Sequence, residues 1–329
     1  MIETQLPEPP AGPAKQLLSV DGAMVPLVGG EWTEVKTLVL GEIDEPVRVG
    51  ENQVVESHAL TYFSRPADAE TFQHLALVET HRRGVETAAQ VIAPTDGAVW
   101  IQGFLDYHRP NAQRILDFGH AAEYVSVIGT APGTPESPAF AAWLNVSLHT
   151  LKHEGATALL PELRTRVACH PDRAELAEAL AYLEKRTAMM NYPEFQRQGW
   201  PIGSGSVESG NKVVVEARLK GAGMHWARPH VNPMLSLRNA VCSERWDEAW
   251  QDVATQHHQQ RRQRFLSRAQ RNTRVPLPPP LLSVAPTEPA TVEDPPAAGR
   301  KQSWQPAGDH PWRRSLGPLP SRRPRSAEI

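Results

Sequence analysis

Thr33, Val35, Thr37 and Val39 alternate with Glu34, Lys36 and Leu38. A period of two belongs to a strand with one buried face, which commits this part of the chain to a sheet. Two apolar runs precede it. Leu17 to Val20 is closed by Asp21-Gly22, which reads as a turn, and Met24 to Val28 ends at Gly29-Gly30. Ser57 to Tyr62 reads as a further strand, so the opening is expected to be an antiparallel meander. The pattern then changes. A helix capped at Ala67-Asp68 carries Phe72, Leu75, Ala76 and Glu79 on one face. Gln90 to Ala93 reads as a buried strand. A helix follows with Ile101, Phe104, Leu105 and His108 at helical spacing, and then a strand over Ala112 to Leu116. Strands followed by alternating helix and strand predict an α/β fold, a mixed sheet flanked by helices.

Beyond Ala121 the strand signal stops until about Gly199. Phe140 to His153 and Ala174 to Met190 read as helices. Pro201 to Ser206 reads as a flexible turn with a capping hydroxyl, opening a helix over Val207 to Leu219. Another helix is expected over Met234 to Trp250. The expected division is a loose leader (1–15), a first core segment (16–120), an all-helical insertion (121–200), a second core segment (201–256) and a disordered tail (257–329). Charge and proline mark the last boundary. Residues 1–256 carry 21 Lys and Arg against 32 Asp and Glu, whereas 257–329 carry 13 against 5. Thirteen of the 31 prolines lie between Pro276 and Pro324. A tail so short of large apolar residues is not expected to fold.

Two cysteines, Cys169 and Cys242, can make neither a disulfide framework nor a four-cysteine zinc site, and they fit a reducing compartment. No apolar run reaches the ~20 residues of a membrane span, and the acidic, Pro-rich start is not a signal peptide. A cytoplasmic protein with no membrane partner is expected.

Three acids stand out by position. Asp21 and Asp96 each follow an apolar strand and precede Gly, and Glu208 lies in the first turn of a helix behind a Gly/Ser loop. An Asp before Gly also serves as a turn former, and a Glu in a first turn also answers the helix dipole. If the three converge, their mutual repulsion calls for a divalent cation. Mg²⁺ or Mn²⁺ takes hard oxygen ligands, and a pair of such ions can activate a hydroxyl and stabilise the leaving oxygen of a phosphodiester. On an ideal helix Val207, Val214 and Ala217 form one stripe and Glu208, Lys212, Val215 and Leu219 the next. From Arg197 to Arg238 six Lys and Arg face two Glu. Lys212, Arg218, Lys220 and Arg228 are placed to meet phosphates, with Trp226 beside them as a stacking or core residue.

The segments Ser19 to Val25, Glu31 to Lys36, Asp96 to Ile101 and Ile115 to Glu123 resemble the DDE transposases of bacterial insertion sequences, ISKra type, related to the Mutator-like group. So does the stretch Asn191 to Phe195, Gly199 to Gly205, Val207 to Ser209 and Arg218 to Trp226. The resemblance covers about residues 16–250. It implies an RNase H-like catalytic core, interrupted by a helical insertion, that cuts and joins DNA with Mg²⁺ or Mn²⁺. The partners it implies are transposon ends and target DNA, bound by a homo-oligomer. The triad it implies is Asp21, Asp96 and Glu208, with Asp117 and His120 as active-site support. Asp117 as the second acid is the competing assignment, and His120 is either a proton carrier or a contact to a phosphate oxygen. Two departures accompany it. Only 20 residues precede Asp21, so weak DNA binding with little sequence preference is expected, and Gly210-Asn211 stands where similar sequences tend to have a small residue plus Cys. An inactive DNA-binding remnant, or a nuclease that does not join strands, would share these residues. A carboxylate-pair glycosidase is disfavoured by the basic window around Glu208.

Overall fold

The computed structural model describes residues 8–49, 52–130 and 137–272. Contacts divide the chain into two units, Met1–Ser267 and Arg268–Ile329. The described part of the second is the last turn of one helix; the sheet and the other helices belong to the first. Strands β1 (Lys15–Pro26), β2 (Trp32–Ile43), β5 (Ser57–Arg65), β6 (Gln90–Thr95) and β7 (Gln113–Leu116) form a five-stranded sheet in the order β5-β2-β1-β6-β7. The first three pair antiparallel, whereas β6 runs parallel to β1 and β7 parallel to β6. The expected mixed sheet is therefore present. A small hairpin, β3 (Val47–Val49) and β4 (Asn52–Val54), had no sequence signal.

Asp21-Gly22 is not a turn. Asp21 pairs with Thr37 and Gly22 with Lys36, in a register that runs unbroken from Gln16 to Pro26. The two runs expected to be separate are one 12-residue strand, because β2 offers a full-length partner and the alternation of Leu18, Val20 and Gly22 against Ser19, Asp21 and Ala23 continues through the pair. The pairing of β1 with β6, by contrast, covers only Lys15 to Leu17. Asp21 thus sits beyond the point where β1 loses its parallel neighbour. A strand neighbour that diverges leaves a crevice at the carboxyl end of parallel strands.

Both faces of the sheet are covered. On one, helices α1 (Ala69–Arg82) and α2 (Val99–His108) bury Phe72, Ala76, Ile101, Phe104 and Leu105 against Leu18, Val20, Leu38 and Leu40. Asp68 caps α1 by accepting from the Thr71 amide at 2.8 Å. The other face carries two helix groups. Helices α3 (Phe118–Gly129), α4 (Pro138–His153), α5 (Ala156–Ala168), α6 (Ala174–Lys185) and α7 (Tyr192–Arg197) share a core with Leu17, Ile92 and Ile115, and the first of them begins before 121. The Tyr192 hydroxyl, fully buried, donates to the Leu116 carbonyl at 2.9 Å and locks α7 to the end of β7.

The second group lies over Ala23, Val25, Val35 and Val39. It comprises α8 (Gly205–Gly210), a π-helical stretch Asn211–Glu216, α9 (Ala217–Leu219) and α10 (Arg228–Cys242). The continuous α-helix expected over Val207 to Leu219 is broken by that π turn. Its wider i→i+5 spacing rotates the residues behind it. Val215 and Leu219 are therefore buried beside Val214, while Ala217, expected on the packing stripe, is exposed. The helix expected over Met234 to Trp250 is two helices. They are separated by Ser243 to Arg245, where Glu244 adopts φ 56°, and the second, α11, runs Trp246–Asn272. The tail expected to be disordered from 257 is helical to Asn272, and the remainder lies outside the described residues. The expected loose leader is tied down where it is described: Gly12 donates to Thr87 Oγ1 at 2.8 Å, and a Cβ there would meet the Gly84 carbonyl oxygen. No helix among the described residues is long and apolar enough to cross a membrane.

Candidate active site

Alternation along β1 puts Asp21 on the face covered by α8 and the π turn. Asp21 Oδ1 accepts from the Gly22 amide at 2.7 Å, and Oδ2 accepts from Asn211 Nδ2 at 2.8 Å. Asp96 follows β6, and its Oδ1 accepts from the Ala98 amide at 2.8 Å, closing a local turn. Asp21 feels the charge of Asp96. Burial, and then the charge of Asp96, push the Asp21 carboxyl above its ordinary range, against the opposing effects of the Gly22 amide, Asn211 and His120.

The Asp96 turn is held from the insertion. The Tyr182 hydroxyl donates to the Asp96 carbonyl, and Arg186 donates to the Gly97 carbonyl from Nε at 3.0 Å and Nη2 at 2.7 Å. Arg186 also lies over the Tyr182 ring, 3.6 Å from its centroid, and Tyr182 stacks on Tyr124 at 3.8 Å. Gly97 has φ 78°, and a Cβ there would stand 2.6 Å from Arg186 Nε. Gly97→Ala is expected to cost about 1–3 kcal/mol, through left-handed strain and displacement of the guanidinium. Thermal unfolding measures this; an unchanged midpoint would show the clamp to be slack.

Asp117 caps α3. Its Oδ1 accepts from the His120 amide at 2.8 Å and lies 3.2 Å from His120 Nδ1, while Oδ2 accepts from the Ser204 amide at 2.6 Å. Burial works against the charge of Asp117, but the hydrogen bonds from His120 and Ser204 outweigh it and hold the carboxyl at about 2. His120 is raised to about 9, first by its hydrogen bond to Asp117 and further by the charges of Asp117, Asp96 and Glu123. It is an imidazolium at neutral pH.

Both shifts make stability depend on pH. A histidine raised on folding contributes its full stability below the unfolded value of about 6.5 and loses it as pH rises through about 9. Asp117, depressed on folding, contributes above about 3.9 and loses it as pH falls toward 2. Because the histidine is more than a third exposed, solvent screens the pair, and its worth is on the order of 1 kcal/mol. Between pH 6.5 and 9 the wild type should lose about that much stability relative to His120→Gln, measured by denaturant titration. Parallel curves would show that the pair carries no net charge interaction.

Glu208, in the first turn of α8, is exposed. Its Oε1 accepts from Ser204 Oγ at 2.9 Å. The Ser204 hydroxyl does not cap the helix backbone as expected, but joins Glu208 to the residue whose amide Asp117 holds. Among the described residues no three His, Cys, Asp or Glu side chains are grouped at metal-ligand spacing. Of the three expected acids, Asp21 feels the charge of Asp96, and the Glu208 carboxylate is turned to Ser204.

Besides Tyr182 and Arg186, Asn211 and Lys36 stand at the site with no role assigned to them from the sequence. Asn211 is nearly buried, and its Oδ1 is left with no hydrogen-bond partner while its Nδ2 engages Asp21. Lys36, 5 % exposed, lies behind the site on the opposite sheet face. It pairs with Glu34 and sits 5.0 Å from the centroid of the Trp100 ring, while a Cβ on Gly22 would strike Glu34. The segments Ser19 to Val25, Glu31 to Lys36 and Asp96 to Ile101, remote in sequence, therefore meet in one cluster.

The expected phosphate contacts are split. Lys212 and Arg218 are exposed, Lys220 pairs with Glu216 at 2.7 Å, and Arg228 with Glu31 at 3.0 Å. Trp226 is half-buried, packs against the α8–α10 core and bonds through its backbone to Pro26 and Val28, which places it in a structural role. Compared with known proteins, the chain matches no family model and no curated sequence.

Proposed function

We propose that this chain is a transposase with an RNase H-like core, cutting and joining DNA by metal-dependent phosphoryl transfer. The observation that carries the reading is the half-buried Asp21 carboxylate beyond the point where β1 and β6 part, which feels the charge of Asp96 and is held by Asn211, the residue that follows α8. The sheet order, antiparallel on one side of β1 and parallel on the other, supports the same core.

The residues fit a hard divalent cation. Burial and the Asp96 charge raise the Asp21 carboxyl, and a buried amide oxygen one turn from Glu208 has no donor. Oxygen donors of this kind suit Mg²⁺ or Mn²⁺. Asp21 and Asp96 would hold the metal, with Glu208 completing the set. Asn211, three residues after Glu208, already touches Asp21, and the Glu208 carboxylate would have to leave Ser204 to join the set. When bound, the metal polarises the phosphoryl oxygens and the attacking hydroxyl. The chain's own part is positional. Tyr182 and Arg186 fix the Asp96 turn. Asp117 fixes His120 and the Ser204 loop. An imidazolium has no lone pair to accept a proton, so His120 serves as a cationic donor to a phosphate oxygen.

The test is incubation of the full chain with DNA carrying the element's ends. Strand cleavage and joining are expected in Mg²⁺ or Mn²⁺, and binding without cleavage in Ca²⁺. Equal cleavage in EDTA would overturn the mechanism, and cleavage never followed by joining would reassign the chain as a nuclease.

A further inference from the structure

Among the described residues, helix α11 is tied to the body by ion pairs at its start. Arg82 pairs with Glu248 at 2.8 Å, and Arg245, just ahead of the helix, pairs with Glu79 at 2.8 Å. Glu248, Ala249 and Asp252 line the cleft toward α1 and α10, and from Trp250 to Arg268 every residue is exposed. At ~100° per residue, Trp246, Trp250, Val253, His257, Arg261 and Arg264 fall within a sector of about 80°. That sector lies opposite Glu248 and Asp252 and therefore faces away from the body. Trp246 and Trp250 are 44 % and 61 % exposed and stack on each other, with centroids 6.1 Å apart and planes at 17°. Asp247, Glu248 and Asp252 lie off the sector, and no acid occurs from Val253 to Arg264. The stripe is thus aromatic at its base, cationic at its outer end and free of carboxylates.

We propose that this outward stripe of α11 docks a single-stranded segment of DNA, its bases on Trp246 and Trp250 and its phosphates on Arg261 and Arg264. Two features select that occupant. Cations with no acid on their own face call for a polyanion. Exposed indoles find a free π face on unpaired bases, which a duplex keeps stacked within itself. Only the choice of DNA rests on the function proposed above. The docking needs neither metal nor the carboxylates and is separable from cleavage.

The experiment is fluorescence anisotropy in EDTA with the full chain, a labelled oligothymidine of about 20 nucleotides and a duplex of equal length. Replacing both tryptophans with alanine should weaken single-strand binding at least ~10-fold, since stacking on one aromatic is worth about 1–3 kcal/mol per base, and should leave duplex binding nearly unchanged. Trp246→Phe with Trp250→Phe keeps both rings and should keep most of the affinity, which separates stacking from any loss of helix. Arg261→Gln with Arg264→Gln should reduce the salt slope on the single strand by about 1.4, or ~0.7 for each phosphate no longer neutralised. Unchanged single-strand affinity in the alanine pair would overturn the proposal. So would a dimer, seen in sedimentation, that the same alanines dissolve, because the stripe would then be a contact between copies. Metal-dependent cleavage, assayed on the same preparations, fails or succeeds independently of these results.

Discussion

Asp21→Asn is expected to reduce metal-dependent strand cleavage on the order of 10³-fold or more while leaving the melting temperature no lower than wild type. The activity loss follows from the metal reading. A metal-held transition state is stabilised by several kcal/mol, and each ~1.4 kcal/mol is tenfold in rate. The stability result follows from the electrostatics. Burial and the Asp96 charge raise the Asp21 carboxyl, so its ionised form is a burden on the folded state at neutral pH. An amide removes that charge at constant shape. It can still accept from the Gly22 amide, and if the Asn211 amide turns over, the partnerless Asn211 Oδ1 gains a donor. A residue whose neutralisation removes activity without lowering stability is there for chemistry. A cleaving Asp21→Asn enzyme would end the triad assignment. An inactive variant with a markedly lower melting point would show that Asp21 holds the strand together.

Why the sheet was legible and the site only partly so comes down to range. Ile101, Phe104, Leu105 and His108 are all buried at the spacing their periodicity expects, because an amphipathic pattern is a local property. Asp21-Gly22 misled because its turn chemistry is local too, whereas the β2 register that overrides it is not. The π turn left no mark on Asn211 to Glu216, whose three consecutive valines fit a strand as well as a helix. Helix α5 opens after Gly155 at φ 88° and carries Pro161 inside, so its local signals argue against a helix that packing on Leu151 and Leu183 nonetheless secures. The tail boundary at 257 followed charge. The helix instead follows the absence of Gly and Pro from Ser243 to Val275 and an abundance of Gln and Arg, both good helix formers. The hold of Tyr182 and Arg186 on the Asp96 turn joins residues about 86–89 apart in sequence, and no motif or spacing pointed to it.

Asp117 and Asp96, rivals for the second acid, should separate cleanly under mutation. Asp117→Ala is expected to destabilise the fold by about 3 kcal/mol. The carboxylate is 5 % exposed and accepts hydrogen bonds from the His120 and Ser204 amides, with His120 Nδ1 close by. Losing the cap of α3 costs about 1 kcal/mol. The Ser204 amide loses its acceptor in a buried place, and the His120 cation loses its counter-charge, each adding on the order of 1 kcal/mol. Asp96 has no such burden, since Tyr182 and Arg186 hold its turn through backbone carbonyls that a side-chain change leaves in place. Asp96→Asn should therefore unfold within about 0.5 kcal/mol of wild type yet lose cleavage as Asp21→Asn does. Urea titration and a cleavage assay on both variants decide the matter. A stable, inactive Asp117→Ala beside a stable, active Asp96→Asn would transfer the second catalytic position to Asp117. The expected opposite pattern makes Asp117 the anchor that positions His120 and the Ser204 loop, and leaves the chemistry to the pair at the parting of β1 and β6.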